Sequence, residues 1–227
     1  MSPINNIHEL NGLRNRTHTF HDRIDAGKKL AEMLSSYSGS DALILGIPAG
    51  GVPVAVEIAS RLCLPLHLAV ISKILLPWTT EAGYGAVAFD GSVWINEQLV
   101  SRFGLTSEDI EKTTQTAKLK VTQRVRQLHV TLPDLGGRSV IVVDDGLAAG
   151  STMRVAISAI RNKDAGQIIV AVPTGSSRSV QQIANMAEAL YCANIRTGLS
   201  FAVADAYERW SDVDQEEVVA LLNKFGK

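Results

Sequence analysis

Ser139-Val-Ile-Val-Val-Asp-Asp-Gly-Leu-Ala-Ala-Gly-Ser-Thr152 is the stretch on which the reading of this chain turns. Its first part, Ser139 to Val143, is the most hydrophobic run in the sequence. A short, wholly apolar run of this kind fits a strand buried on both faces of a parallel sheet. It ends in Asp144-Asp145, continues through the small residues Gly146 to Ser151, and enters a helix near Thr152. Upstream the pattern recurs: Ala42 to Ile47 is an apolar strand, Pro48-Ala49-Gly50-Gly51 breaks it, and helical spacing follows to about Cys63, then a strand over Leu66 to Ile71. Downstream, Gln167 to Val172 reads as a strand closed by Pro173-Thr174-Gly175. A helix, a short strand around Tyr191, an irregular stretch from Ile195 to Trp210 and a terminal helix from about Gln215 complete the chain. Strand–turn–helix units in this succession predict an α/β fold, a three-layer sandwich with a mostly parallel central sheet.

The remaining segments fill in around that sheet. Phe20, Ile24, Leu30, Ala31, Leu34 and Tyr37 have helical spacing that ends at Gly39, and the residues before Phe20 read as a loose arm. Ser72 to Gly85 is irregular, and Asp90-Gly91 between two apolar runs is a hairpin signal. A helix over Glu97 to Phe103 stops at Gly104, and Thr106 can cap a long helix reaching about Leu128, with Ile110, Ala117, Val121 and Leu128 on one face. The expected organisation is an arm over 1–19 and a single domain over 20–227, with a lid at 73–86, a hairpin at 86–96 and hood pieces at 173–177 and 195–212.

Length and composition agree with one ordinary domain: 227 residues, 46% hydrophobic and 20% charged, enough apolar material to bury a core. With 22 basic against 23 acidic residues the net charge is -1, so electrostatic capture of nucleic acid or of an anionic membrane is not expected. Lys112, Lys118, Lys120, Arg124 and Arg126 make the long helix basic, but Glu108, Asp109 and Glu111 offset them, which reads as a solvated face. The first twenty residues are polar and show no secretory signal, and the least charged stretch is broken by glycine and proline; a soluble cytoplasmic protein is expected. Cys63 and Cys192 both lie in apolar settings and read as two buried thiols.

The chemistry concentrates at the carboxyl ends of the strands, where ligands of parallel sheets sit. Carboxylates accept hydrogen bonds only, so Asp144 and Asp145 suit a vicinal diol or a hydrated divalent cation. A few residues later Gly150, Ser151 and Thr152 reach a helix start, where free backbone N–H groups and the helix dipole favour a phosphate. Diol acceptors one short loop from a phosphate cradle describe a site for a ribose 5-phosphate.

These residues resemble the PRPP-binding motif of type I phosphoribosyltransferases: four apolar residues, two acids and a phosphate loop. The resemblance implies that fold, with a small hood, and a Mg2+-dependent transfer of phosphoribose from PRPP to a small, nucleobase-like heterocyclic acceptor with release of diphosphate. It implies that Asp144 and Asp145 contact the ribose hydroxyls and hold Mg2+ through water, and that Ala148, Ala149, Gly150, Ser151 and Thr152 hold the 5-phosphate. Ala149 stands where threonine is common, and Ala148 where some purine enzymes carry an aspartate that can serve as base. Gly46-Ile-Pro-Ala-Gly-Gly51 is similar to the family's diphosphate loop, implying contacts at Ala49, Gly50 and Gly51; a bacterial and archaeal subgroup reads G-x-P-R-G-G there, so Ala49 forfeits a guanidinium. Lys73 and Glu81 match further catalytic positions. Phe20-His-Asp-Arg-Ile-Asp-Ala-Gly and Ala204-Asp-Ala-Tyr-Glu-Arg-Trp210 match the subgroup near the two ends. Pro173, Thr174, Tyr207 and Trp210 are the expected acceptor contacts, the aromatic pair by stacking. A homodimer is the implied assembly. The loss of arginine at position 49 leaves open a second reading, a PRPP- or nucleotide-binding regulatory module without transferase activity.

Overall fold

The structure, a computed structural model, describes residues 6–80, 82–198 and 200–226. In chain order it runs β1 (Ile7–His8), α1 (Arg23–Met33), β2 (Leu43–Gly46), α2 (Gly51–Leu62) and β3 (Leu66–Leu68). An insertion follows, built from β4 (Ile71–Leu75), β5 (Gly83–Ala88), β6 (Val93–Ile95), α3 (Glu97–Phe103) and α4 (Ser107–Gln127). The chain then returns through β7 (Ser139–Val143), α5 (Ser151–Arg161), β8 (Gln167–Ser176), α6 (Ser177–Ala184), β9 (Ala189–Arg196) and α7 (Gln215–Phe225). Six strands form one parallel sheet in the order β1-β9-β8-β7-β2-β3.

Alternation along the strands divides the core into the expected layers. Leu43, Leu45, Val140, Val142, Ile168 and Val170 face α5 and α6, whereas Ile44, Ile141, Val143 and Ile169 face α1 and α2. From β2 the chain steps outward to β3 on one side, but from β7 it builds outward to β8 and β9 on the other. The switch point therefore lies between β2 and β7, where Gly46 pairs with Val143 and the two glycine-containing turns leave the sheet side by side.

Four expectations need correction. The apolar run read as one strand to Ile71 is two: β3 ends at Leu68, and β4 pairs antiparallel with β5 in a separate three-stranded sheet. Ala69, Val70 and Ile71 are buried throughout, so hydropathy cannot register the crossing. The segment expected to be irregular over 72–85 is consequently strand at both ends, and only a tip is left of the expected lid. Second, Pro173-Thr174-Gly175 does not close β8, which continues to Ser176 alongside β9. Its partner β7 ends opposite Ala171, and the next contact on that side is Leu147, which takes the Ser176 amide, so Pro173 breaks no ladder there. Third, the arm is not loose. β1 pairs with β9, the Asn6 amide donates to Ala184 and Ala187 carbonyls, and Leu10 and Asn15 bond to Ala193 and Ile195. Fourth, Cys63 is exposed, in the left-handed residue that ends α2; only Cys192 is buried.

The hairpin turn, with Gly91 at φ +89°, and the capping box of Thr106 and Asp109 at the start of α4 form as read. Among the described residues no helix is long and apolar enough to cross a membrane. Asn194 of β9 ties the N-terminal segment down: its amide donates to Leu13 and Arg16 carbonyls, and its carbonyl accepts from the Thr174 hydroxyl at 2.7 Å. Asn194→Ala orphans all three partners, and equilibrium unfolding in denaturant is expected to show a loss of about 2–3 kcal/mol without a change in the slope m.

Candidate functional site

β7 delivers Asp144 and Asp145 at the switch point, directly against the turn that follows β2. Two glycines make that approach possible. A Cβ on Gly50 would run into Asp145 Oδ2, and one on Gly51 would lie 2.8 Å from both Asp144 Cα and the Val143 oxygen. Gly50 has an ordinary helical φ of -61°, so the requirement there is space rather than backbone freedom. The Pro48–Ala49 peptide within this turn is cis.

Beyond the acids the chain runs through Gly146 and Leu147 to Gly150, whose φ of +79° turns it into α5. No side chain caps that helix start, so the first amides of α5 and the hydroxyls of Ser151 and Thr152 remain as donors beside the cleft. The loop is held from behind by the extension of β8. The Leu147 amide donates to the Thr174 carbonyl, the Ser176 amide donates to the Leu147 carbonyl, and the Ala148 carbonyl accepts from the Ser176 and Ser179 hydroxyls. Thr174 is fully buried in this extension and, like Pro173, does not line the cleft. Both were expected to meet an acceptor; their place is in the support of the loop.

The cleft has a volume of about 700 Å³ and is lined by residues 144–153, by Ile47 and Pro48, and by Ser72 and Lys73. Lys73 projects from β4 and its positive charge reaches both acids. Ala148 to Thr152 line it directly; Ala49, Gly50 and Gly51 form the turn packed against the acids. Glu81 lies outside the described residues.

Burial, with the adjacent Asp145 charge added, pushes the Asp144 carboxyl well above the usual carboxylate range, while Lys73 and Arg23 pull the other way. Asp145 is also raised by burial, against the attraction of Arg23. Arg23 is the residue that the sequence reading missed. At the first turn of α1 it is 8% exposed, and its Nε and Nη2 reach Asp145 Oδ2 at 3.0 and 2.9 Å. Its Nη1 donates to the Ser211 carbonyl, and its guanidinium lies 3.9 Å from the Trp210 ring centre. Tyr207, 2% exposed, donates to the Asp145 carbonyl at 2.7 Å. The two terminal motifs thus meet behind the acid pair, bridged by Phe20 and Tyr207. Tyr207 and Trp210 are engaged with Arg23 and Asp145, not set in the cleft wall where an acceptor could stack. An arginine at the positive end of a helix, where basic residues are unfavourable, was the available signal that it answers an acid elsewhere.

The donor set fits Mg2+ in one way only. Asp144 Oδ1 accepts from the Asp145 amide and Asp145 Oδ2 is taken by Arg23, so one oxygen of each carboxylate remains. Among the described residues no cluster of three His, Cys, Asp or Glu could hold a metal. An ion that keeps its waters and arrives with substrate phosphates suits such a pair. Lys120 and Arg124 of α4, expected on a solvated face, also line the cleft.

Comparison with known proteins agrees with the fold. The family described as "Phosphoribosyl transferase domain" matches residues 89–214, just over half of the chain. The chain is 34% identical over 208 residues to "Putative phosphoribosyl transferase Rv0571c" of Mycobacterium tuberculosis, covering 90% of this chain but 46% of that protein. It therefore spans about half the length of the curated relatives it matches. The crystal structure of TT1426 from Thermus thermophilus superposes with a TM-score of 0.71 at 29% identity, covering 91% of this chain and 98% of that one.

The strained acid pair has a measurable signature. A carboxyl whose folded pKa lies above its unfolded value stabilises the fold at low pH, and that contribution is lost as pH rises through the folded value. Asp144→Asn keeps the acceptor for the Asp145 amide and removes the charge. It is expected to unfold at higher denaturant than the parent near neutral pH, by about 1 kcal/mol, with the gap closing toward pH 4. Identical pH profiles for the two proteins would contradict the assignment.

Proposed function

Because the chain belongs to the phosphoribosyl transferase domain family, we propose that it transfers the phosphoribosyl group of PRPP to a nitrogen of a small heterocycle, releasing diphosphate. The observation that carries the reading is that two recessed carboxylates and an uncapped, glycine-led helix start line one cleft, joined by a single short loop. In this reading the amides and hydroxyls of Gly150 to Thr152, with the backbone of Ala148 and Ala149, hold the 5-phosphate. The free oxygens of Asp144 and Asp145 accept the ribose 2- and 3-hydroxyls. Both carboxylates then lie close to C1, where positive charge develops as its bond to diphosphate lengthens, and stabilise it electrostatically. Lys73 meets the departing group from the cleft wall; Gly50 and Gly51, outside that wall, pack on the acids instead. Mg2+, when bound, neutralises diphosphate charge and is shared with the acid pair through water. The acceptor nitrogen forms the new bond to C1 with inversion as the C1–O bond breaks. Ala148 offers no base, so the proton of that nitrogen passes to water or to diphosphate. Rate enhancement then rests on positioning and preorganised charge rather than on a nucleophile.

A second reading, a PRPP-binding module without turnover, is favoured by one specific feature: the methyl group of Ala49 where the subgroup carries a guanidinium. Titration calorimetry with PRPP and Mg2+ tests the site common to both readings. Millimolar or tighter affinity is expected, weakened about tenfold by Ser151→Ala/Thr152→Ala through lost phosphate donors; absence of binding would refute both. Base-dependent diphosphate release across a panel of nucleobases and related heterocycles is the expected outcome for the transferase, and PRPP binding without release that for the module.

A further inference from the structure

The turn at Ala49 lacks a cation, but the cleft does not. Lys120, Gln123, Arg124 and Gln127 of α4 line it from the insertion side. They follow a spacing of three and four residues, one stripe of the helix, directly beside the apolar stripe of Ala117, Val121 and Leu128. That apolar stripe is packed against Val70 and Ile74 of the β4 region and Tyr84 and Val87 of β5, and the Tyr84 hydroxyl meets Thr113 at 2.7 Å. The orientation of α4 is therefore fixed by its core contacts, and the polar stripe that faces the cleft is a consequence of that packing. Lys73 projects into the same cleft from β4, the strand on which α4 rests.

These cations are unspent. Among the described residues Lys73, Lys120 and Arg124 make no ion pair, whereas Arg14, Arg23, Arg61, Arg161 and Arg196 each have a carboxylate partner. The fields of Lys73 and Arg23 reach Asp144 and Asp145. The α4 cations belong to the insertion wall of the cleft, whereas the acids stand at the end of β7. Three unpaired positive charges on one side of a cleft constitute a site for a polyanion.

We infer that Lys120 and Arg124, together with Lys73, bind the diphosphate group, supplying from α4 the charge that Ala49 does not supply from the turn. The inference rests on the reading of the cleft as a PRPP site and adds residues that the phosphate motif does not contain. A guanidinium and two ammonium groups can each make charge-assisted bonds to diphosphate oxygens. Their placement on the insertion separates the two ends of the substrate: phosphate and ribose on the β7–α5 side, diphosphate on the α4 side.

The test uses the full chain, titrated calorimetrically with inorganic diphosphate plus Mg2+ and, separately, with ribose 5-phosphate. Lys120→Ala/Arg124→Ala is expected to weaken diphosphate binding about tenfold or more while ribose 5-phosphate binding stays within about twofold. Lys118→Ala/Arg126→Ala removes the same charge from the exposed outer face of α4 and is expected to leave both affinities unchanged. The inference is overturned if the parent protein does not bind diphosphate, if the first double variant binds it as the parent does, or if the outer-face variant loses as much. Failure of the parent to bind ribose 5-phosphate would instead refute the reading of the acid pair and phosphate loop, with the α4 wall judged on the diphosphate arm alone.

Discussion

The structure depends on the near-contact between the Gly50-Gly51 turn and the two acids at the end of β7. Side chains larger than hydrogen at these positions would collide with Asp145 or with the backbone at Val143 and Asp144. That closeness is available because β2 and β7 are adjacent although most of the chain between them, including a second sheet and two helices, lies elsewhere. It brings a carboxylate pair, a glycine turn and a helix start to one opening, and it places the pair where water solvates it poorly. The site and its electrostatic strain are one arrangement.

Two partly buried like charges side by side call for a counter-charge, and the chain provides one from a distance. Arg23 reaches Asp145 from the start of α1 and is itself enclosed by Ser211, Trp210 and Tyr207. Segments from the two ends of the sequence thus serve one carboxylate of the central motif. The engagement has a chemical consequence. It occupies one oxygen of Asp145 and leaves the other, with one oxygen of Asp144, as the acceptors facing the cleft.

Legibility of the fold followed the physical range of each signal. Leu43 to Gly46, Ser139 to Val143 and the helices between them were readable because buried parallel strands are continuous apolar runs and their turns need glycine. The capping box at Thr106 and the hairpin at Gly91 were readable because both are local hydrogen-bonded devices. Leu66 to Ile71 failed for the converse reason: from Leu68 to Ile71 every residue is buried, and such a run looks alike whether it stays in one sheet or passes to another. Pro173 misled because a proline rule for strand interiors assumes neighbours on both sides, and β7 ends before that residue. The polar segment before Phe20 gave no sign that Asn194 and the edge of β9 would hold it.

The same division governs the site. Asp144, Asp145 and the Gly150 turn stand within seven residues of one another, so spacing alone determined that two carboxylates and an uncapped helix start would share a strand end. Which cations answer them was decided only by tertiary structure. Arg23 lies 122 residues from Asp145, and the stripe of Lys120 and Arg124 turns to the cleft because Ala117 and Val121 turn to the core. A sequence encodes the period of a helix and the chemistry of each face, but which face meets a cleft is set by packing against strands far away in the chain.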